Sequence, residues 1–218
     1  MTSPIRKNAL HTAVLAGDLA QVRELLAAGA DVNAYTLCRD RSRGIGAATP
    51  LYFAVRNTWS STRKIPLATR LAVLDEILAA GPDLNTPAGP KYDRETPLYM
   101  AVGYSSPACV VDRLLAAGAD VNAVSTPSRA PAFFSVLYRK HDFISILDRL
   151  VASGADLDLA DRDGCDLRHA AEISYGNAYP EQCAAVLAWI AARERAAARS
   201  ETAMALAPTR ARAARVRC

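Results

Sequence analysis

One six-residue phrase occurs twice in this chain, letter for letter, and twice more in altered form. Gly-Ala-Asp-Val-Asn-Ala stands at residues 29–34 and 118–123, and related letters stand at 81–85 and 154–158. The glycines of successive phrases are 52, 37 and 36 residues apart. Self-similarity at such intervals is typical of stacked repeats of about 33 residues, with loops inserted where the interval is longer.

A second recurring element precedes each phrase. Thr-Pro-Leu-Tyr stands at residues 49–52 and 96–99, and weaker versions stand at 8–13, 130–135 and 166–170. Threonine can cap a helix by accepting a backbone N–H, and proline fits the first helical turn because no donor is needed there. Pairs such as Leu25 and Leu26 close a second helix, and the glycine that follows suits the left-handed position at a helix end. Each unit therefore predicts two helices followed by a turn.

These two motifs, kept in this order, resemble the ankyrin repeat family over about residues 8–192. The resemblance implies an all-α fold, a solenoid of about five stacked helix-turn-helix repeats with inter-repeat fingers and a C-terminal capping helix. We expect an ankyrin repeat domain at residues 1–192, followed by a helical extension and basic tail at 193–218. The expected repeats, the last one degenerate, lie near residues 8–34, 49–85, 96–123, 130–158 and 164–192. Since one unit cannot bury its apolar face alone, stability depends on the interfaces between neighbours.

The charge of the chain is concentrated at its C-terminal end. Of 26 lysines and arginines and 22 acidic residues in the chain, residues 193–218 hold seven arginines and two glutamates. Residues 180–206 predict a last helix that continues as a cap, and the residues after Pro208 predict a solvated, mobile end. Contact of this end with nucleic acid or an acidic membrane is one alternative. A leaderless secretion signal and a purely solubilising tail are the others.

The sequence also indicates a compartment. The start of the chain predicts no signal peptide, and the longest apolar run, residues 183–192, is shorter than the roughly 20 residues of a membrane span. Five cysteines scattered over different repeats favour free thiols in a reducing environment. We expect a cytoplasmic protein, with export without a cleavable signal peptide as the alternative.

Three insertions interrupt the repeat and are candidates for partner contact. Residues 35–48 lengthen the first finger, residues 58–70 lengthen the turn inside the second repeat, and residues 86–95 extend the second finger. Loops accept such insertions at little entropic cost, and binding residues often lie on loops. Neutral drift of surface loops is the alternative. The candidates in these segments are Arg41, Arg43, Trp59, Tyr92 and Arg94.

The first helices hold a second set of candidates. Tyr52, Tyr99 and Phe133 stand where the family usually has the histidine that His11 retains, and we expect them to pack between repeats. One turn later, the resemblance implies side chains exposed in a concave groove. These candidates are Arg56, Asn57, Tyr104, Leu137 and Tyr138. Tyrosine and arginine dominate the energetic centres of protein interfaces, which favours a binding surface here.

Catalytic and metal-binding patterns are weak in this chain. Residues 44–49 resemble the start of a phosphate loop but lack the Gly-Lys-Ser/Thr that completes it. The aspartates before Gly164 lack the terminal glutamate of a calcium loop. Cys165, His169 and Cys183 could gather around zinc, but no CxxC or HxxxH pair supports such a site. We therefore expect no catalytic residue, cofactor or metal.

The sequence thus predicts a non-catalytic scaffold that binds a protein partner of unknown identity through its groove and fingers. We expect a monomer with no small-molecule substrate. The alternative is a translocated bacterial effector that docks onto a host protein, an interpretation that rests on analogy alone.

Overall fold

The chain folds into helices that stack in two layers. The computed structural model describes residues 9–40, 44–59, 65–90, 94–104, 106–126, 128–174 and 180–214. The first-helix layer consists of α1 (Ala9–Ala16), α3 (Pro50–Trp59), α5 (Pro97–Gly103) and a 3₁₀ helix (Ala132–Tyr138). The second-helix layer consists of α2 (Leu19–Ala27), α4 (Leu67–Ala79), α6 (Ala108–Ala116), α7 (Phe143–Ala152) and the start of α9 (Pro180–Ala214). A single turn, α8 (Leu167–His169), and a π-helical turn (Ala170–Ser174) precede α9.

Helix starts and ends follow the predicted capping chemistry. Thr96 Oγ1 accepts the backbone N–H of Tyr99 at 3.1 Å, with Pro97 as the first residue of α5. Thr49 Oγ1 accepts the N–H of Tyr52 at 3.2 Å in the same way at α3. The second helices end at glycines with positive φ, which lie at 81° for Gly29, 70° for Gly81, 96° for Gly118 and 90° for Gly154. These features confirm the predicted threonine caps of α3 and α5 and the predicted glycines at the ends of the second helices.

One continuous apolar core runs between the two layers. It extends from Leu10 in α1 to Val186 in α9. Tyr52 and Phe133 are buried in this core, which confirms their predicted packing between repeats. Tyr99 is half-buried against it. A Cβ on Gly103 would lie 2.9 Å from Ser135 Cβ, so α5 and the 3₁₀ helix approach each other as closely as they do because this residue has no side chain.

The stretched first finger is a β-hairpin rather than a loop. Strands β1 (Thr36–Asp40) and β2 (Gly44–Ala48) pair antiparallel from Thr36 opposite Ala48 to Asp40 opposite Gly44. A short strand from the second finger, β3 (Gly89–Pro90), pairs with β2 and completes a three-stranded sheet. The fold is therefore mostly helical but not purely α. Cross-strand bonds satisfy the backbone polar groups that an inserted segment would otherwise leave to water.

Backbone bonds also link the later fingers. Arg94 N–H donates to Thr126 O at 3.0 Å, and Thr126 N–H donates back to Arg94 O at 2.7 Å. Arg162 N–H donates to Ser128 O at 2.8 Å. Successive fingers are thus joined edge to edge along the stack.

The insertion at residues 58–70 is partly helical. Its first two residues extend α3 to Trp59, and its last four begin α4 at Leu67. Ile65 lies against the turn between α1 and α2, where a Cβ on Gly17 would be 2.8 Å from Ile65 Cγ2. The described end of this insertion therefore packs on the first unit instead of projecting freely.

Helix α9 is longer than predicted. We expected the last helix to end near residue 206 and a mobile end to follow Pro208, but the helix continues to Ala214. Pro208 lies inside this helix, where a proline removes one backbone hydrogen bond, and the surrounding alanines and arginines are strong helix formers. The helix also crosses the expected domain boundary at residues 192 and 193 without a break.

An asparagine ladder connects the repeated phrases. Asn33 Oδ1 accepts the N–H of Asp83 at 2.8 Å, and Asn85 Oδ1 accepts the N–H of Asp120 at 2.8 Å. Asn122 Oδ1 then accepts the N–H of Asp156 at 2.9 Å. The equivalent position in the fourth phrase is Asp158, whose side chain makes no hydrogen bond to a following unit within the described residues. The ladder therefore joins four phrases and stops.

His11 connects the first helix of its unit to the finger that follows the second helix. Its Nε2 donates to Ala34 O at 2.9 Å, and its ring meets Phe53 edge-on with centroids 5.9 Å apart. Burial lowers the pKa of this imidazole below its ordinary value. The neutral form is therefore the one that the fold accommodates.

We expect Asn85→Ala to lower the free energy of unfolding by about 1 kcal/mol, the usual net contribution of one hydrogen bond. The variant leaves the N–H of Asp120 with water as its only acceptor. Urea unfolding followed by circular dichroism measures the change. Asp158→Ala is the control, because it truncates the equivalent side chain where the ladder has stopped. Equal destabilisation by both variants would show that the ladder contributes nothing.

We expect acidification to destabilise the protein through His11. Because the pKa is lowered in the folded state, the unfolded chain binds a proton first, so stability is lost as pH falls below about 6.5. Urea midpoints measured between pH 7.5 and 5.5 should fall less steeply for His11→Gln than for the wild type. His141→Gln, at an exposed position, should retain the wild-type slope. Parallel slopes for the wild type and His11→Gln would contradict this linkage.

Candidate protein-binding surface

The structure describes the side chains of five of the ten candidate residues. Arg41, Arg43 and Tyr92 lie outside the described residues. The backbone of Asn57 and Trp59 lies in α3, but their side chains are outside the description. The remaining candidates are Arg56, Arg94, Tyr104, Leu137 and Tyr138.

Three candidates lie near the ends of successive first helices. Arg56 is half-buried in the last turn of α3. Tyr104 caps α5 by donating its backbone N–H to Met100 O at 3.1 Å, and its hydroxyl donates to Glu95 Oε1 at 3.2 Å. Tyr138 ends the 3₁₀ helix and is 36% exposed. Because α3, α5 and the 3₁₀ helix pack side by side, these residues lie at the ends of neighbouring helices, and we call the three together the groove row.

Leu137 does not belong to this row, and its predicted exposure is wrong. The side chain is fully buried. The prediction assumed an α-helix with one exposed side, whereas this segment is a 3₁₀ helix in which every residue from Ala132 to Leu137 is buried. Leu137 therefore belongs to the core.

A buried arginine that the sequence did not indicate supports the groove row. Arg139 donates to Val102 O at 3.0 Å, to Ser106 O at 2.8 Å and to His141 O at 2.7 Å. Burial lowers the pKa of its guanidinium. The side chain satisfies carbonyls at the end of α5 and in the turn after it, where Tyr104 lies. No repeated motif marks Arg139, so only the folded structure reveals its role.

Arg94 stabilises the second finger by a hydrogen bond within it. The side chain is exposed, and Nη2 donates to Pro87 O at 3.2 Å while the backbone pairs with Thr126 in the next finger. This arrangement keeps a cation at the finger edge in a defined position.

The second-helix layer has a different chemistry, because its charged groups pair with one another. Arg23 pairs with Glu76 at 2.5 Å, and Arg113 pairs with Asp75 at 2.7 Å. Arg149 pairs with Asp112 one unit later. In the last unit Trp189 Nε1 donates to Asp148 Oδ1 at 2.9 Å. Such exposed pairs contribute little stability, but they leave these charges neutralised within the chain.

Candidate catalytic chemistry can be assessed only for the described residues. Within them, no three His, Cys, Asp or Glu side chains gather closely enough to hold a metal ion. Asp161 Oδ1 accepts the N–H groups of Asp163 at 2.9 Å and Cys165 at 3.0 Å, so this aspartate stabilises a turn. Burial raises the pKa of the Cys183 thiol, which disfavours the reactive thiolate. Among the helices in the described ranges, none combines the length and apolar character needed to cross a membrane.

Comparison with known families matches two parts of the chain. A sequence model of the ankyrin repeat matches residues 6–37 and residues 93–126. No curated protein matches the chain. The first match covers α1, α2 and the start of the first finger, and the second covers α5, α6 and the start of the third finger. The unmatched unit formed by α3 and α4 has the same threonine cap, closing glycine and asparagine link. Residues 6–37 and 93–126 therefore match the ankyrin repeat, and the unit between them is built in the same way.

Proposed function

We propose that this chain is a non-catalytic scaffold that binds a protein partner through the groove row and the fingers. Ankyrin repeats generally mediate protein–protein interaction. The observation that carries the proposal is the position of three partly exposed side chains. Arg56, Tyr104 and Tyr138 lie at the ends of first helices that pack side by side.

The row has the chemistry of an interface centre. Tyrosine and arginine combine a large contact area with hydrogen bonding, and they are enriched among residues that dominate binding energy. Tyr104 is held by Glu95 and by its position at the end of α5, while Arg139 fixes the turn beside it. A surface that is already ordered loses little conformational entropy on binding.

We expect the triple variant Arg56→Ala, Tyr104→Ala and Tyr138→Ala to weaken partner binding at least tenfold. The measurement has two steps. Affinity capture with mass spectrometry first identifies proteins retained by the wild type and lost with the variant, and calorimetric titration then gives both dissociation constants. The control is Arg23→Ala with Arg113→Ala, which removes two cations from the second-helix layer and should leave binding unchanged.

Thermal unfolding of the same variants separates binding from stability. The triple variant should melt within a few degrees of the wild type, since each side chain is at least partly exposed. A much lower melting temperature would assign these residues to the fold. Equal losses of binding in the triple variant and the control would place the interface elsewhere.

A further inference from the structure

The first helix of the fourth unit differs in form from its equivalents. The first helices α1, α3 and α5 are α-helices, whereas Ala132–Tyr138 is a 3₁₀ helix of seven residues. A 3₁₀ helix has poorer hydrogen-bond geometry than an α-helix and rarely runs beyond three or four residues. A run of this length therefore needs support from contacts outside the segment.

The local sequence does not account for the 3₁₀ form. Pro131 precedes this helix at the position where Pro97 begins α5, and α5 is an α-helix. Residues 132–138 contain no glycine or proline, the two residues least compatible with an α-helix. The cause of the 3₁₀ form therefore lies in the contacts that this segment makes.

The third finger fixes the start of the helix. Ala130 O accepts the backbone N–H of Ser125 at 3.0 Å and the hydroxyl of the same serine at 3.0 Å. Val124 and Pro131 form an antiparallel bridge beside these bonds. The residues that lead into the helix are thus held to the preceding segment of the chain.

The third unit fixes the middle and the end of the helix. Ser135 Oγ lies within hydrogen-bond distance of Tyr99 O, at 2.9 Å. Arg139, the residue directly after the helix, is 2% exposed and donates to Val102 O at 3.0 Å and to Ser106 O at 2.8 Å. One buried guanidinium therefore joins the end of this helix to the end of α5 and to the turn before α6.

Left-handed residues bracket the same segment. Arg129 has a φ of 55° and Asp142 has a φ of 57°. Residues other than glycine rarely adopt this conformation, and it persists where the surrounding structure over-determines it. Strain on both sides is expected for a helix that is held at both ends.

A helix held at both ends keeps the form that spans the distance between them. The 3₁₀ form rises about 2.0 Å and turns about 120° per residue, against about 1.5 Å and 100° in an α-helix. An α-helix over Ala132–Tyr138 would therefore be about 3 Å shorter and would turn about 120° less. Tyr138 would then point in a different direction relative to the fixed start of the helix.

We propose that Arg139 is a positioning residue of the groove row, which keeps this helix in the 3₁₀ form and thereby sets the direction of Tyr138. The planar guanidinium presents its donors in a rigid fork, and here the fork reaches carbonyls in two segments of the third unit. The inference rests on the proposed binding function, because the direction of Tyr138 matters as part of the groove row. The form of the helix is a property of the protein without its partner.

NMR of the full-length protein tests the proposal. In the wild type, nuclear Overhauser contacts from each α-proton to the amide proton two residues later should run through Ala132–Tyr138, as in a 3₁₀ helix. Arg139→Lys retains the charge but replaces the fork by a single ammonium. In this variant we expect contacts to the amide four residues later, as in an α-helix. Relaxation of the Leu137 methyls by a soluble paramagnetic agent should rise at least threefold, because the new winding turns this side chain out of the core.

Two further variants complete the comparison. Arg94→Lys is the matched control, since this arginine is exposed and bonds to Pro87 O within its own finger. It should leave the contacts of Ala132–Tyr138 and the relaxation of Leu137 unchanged. Arg139→Met keeps the apolar stem without any donor and repeats the measurement, so that one folded variant of Arg139 is sufficient. A folded variant that retains the wild-type contacts would overturn the proposal.

This experiment needs no partner, so its result is separate from the test of the proposed function. Retained 3₁₀ contacts in the variants of Arg139 would refute the positioning role and leave binding through the groove row standing. Unchanged binding of the partner by the groove triple variant would refute the groove row. The NMR comparison would then still decide whether Arg139 holds the helix in its 3₁₀ form.

Discussion

The stack depends on a hydrogen bond that passes from each repeated phrase to the next. The side-chain oxygens of Asn33, Asn85 and Asn122 each accept the N–H of the aspartate one unit further on. The aspartates in turn accept the N–H groups of the asparagines two residues after them, at 2.8–2.9 Å in the first three phrases. The same aspartates and asparagines therefore form both the local turn and the hydrogen bond to the next unit. This coupling sets the register between neighbouring units and lets apolar faces too small to be stable alone meet in one core.

That register explains why the two surfaces of the protein differ. With the phrases aligned, second helices bring arginine opposite carboxylate at nearly equivalent places, as in Arg113 with Asp75 and Arg149 with Asp112. First helices instead end at the candidate residues Arg56, Tyr104 and Tyr138. The fingers, which lie at the junctions between units, come close enough for their backbones to pair. The charge pairs of the second helices and the pairing of the fingers both follow from one spacing.

The candidate site could be predicted only in part. Tyr104 and Tyr138 were identified because equivalent positions of a repeat face the same way. Leu137 failed this reasoning, because the fourth first helix is a 3₁₀ helix that is buried from Ala132 to Leu137. Arg139 gave no signal, since most of its acceptors are main-chain carbonyls more than 30 residues away. The strand pairing of the first finger was also not predicted, because an insertion with two glycines is typical of a loop.

The sequence by itself determined the repeat, the capped helix starts and the turns, because threonine caps, closing glycines and Asx turns act within a few residues of the chain. It also determined that Asp158 differs from the asparagines of the earlier phrases. Tertiary structure alone decided that residues 36–40 and 44–48 become paired strands, that Ile65 packs on the turn at Gly17, and that Arg139 is buried at the end of α5. Each of these outcomes requires groups from different units to meet. Their distance apart along the chain leaves no local pattern, so these contacts are found only in the stacked structure.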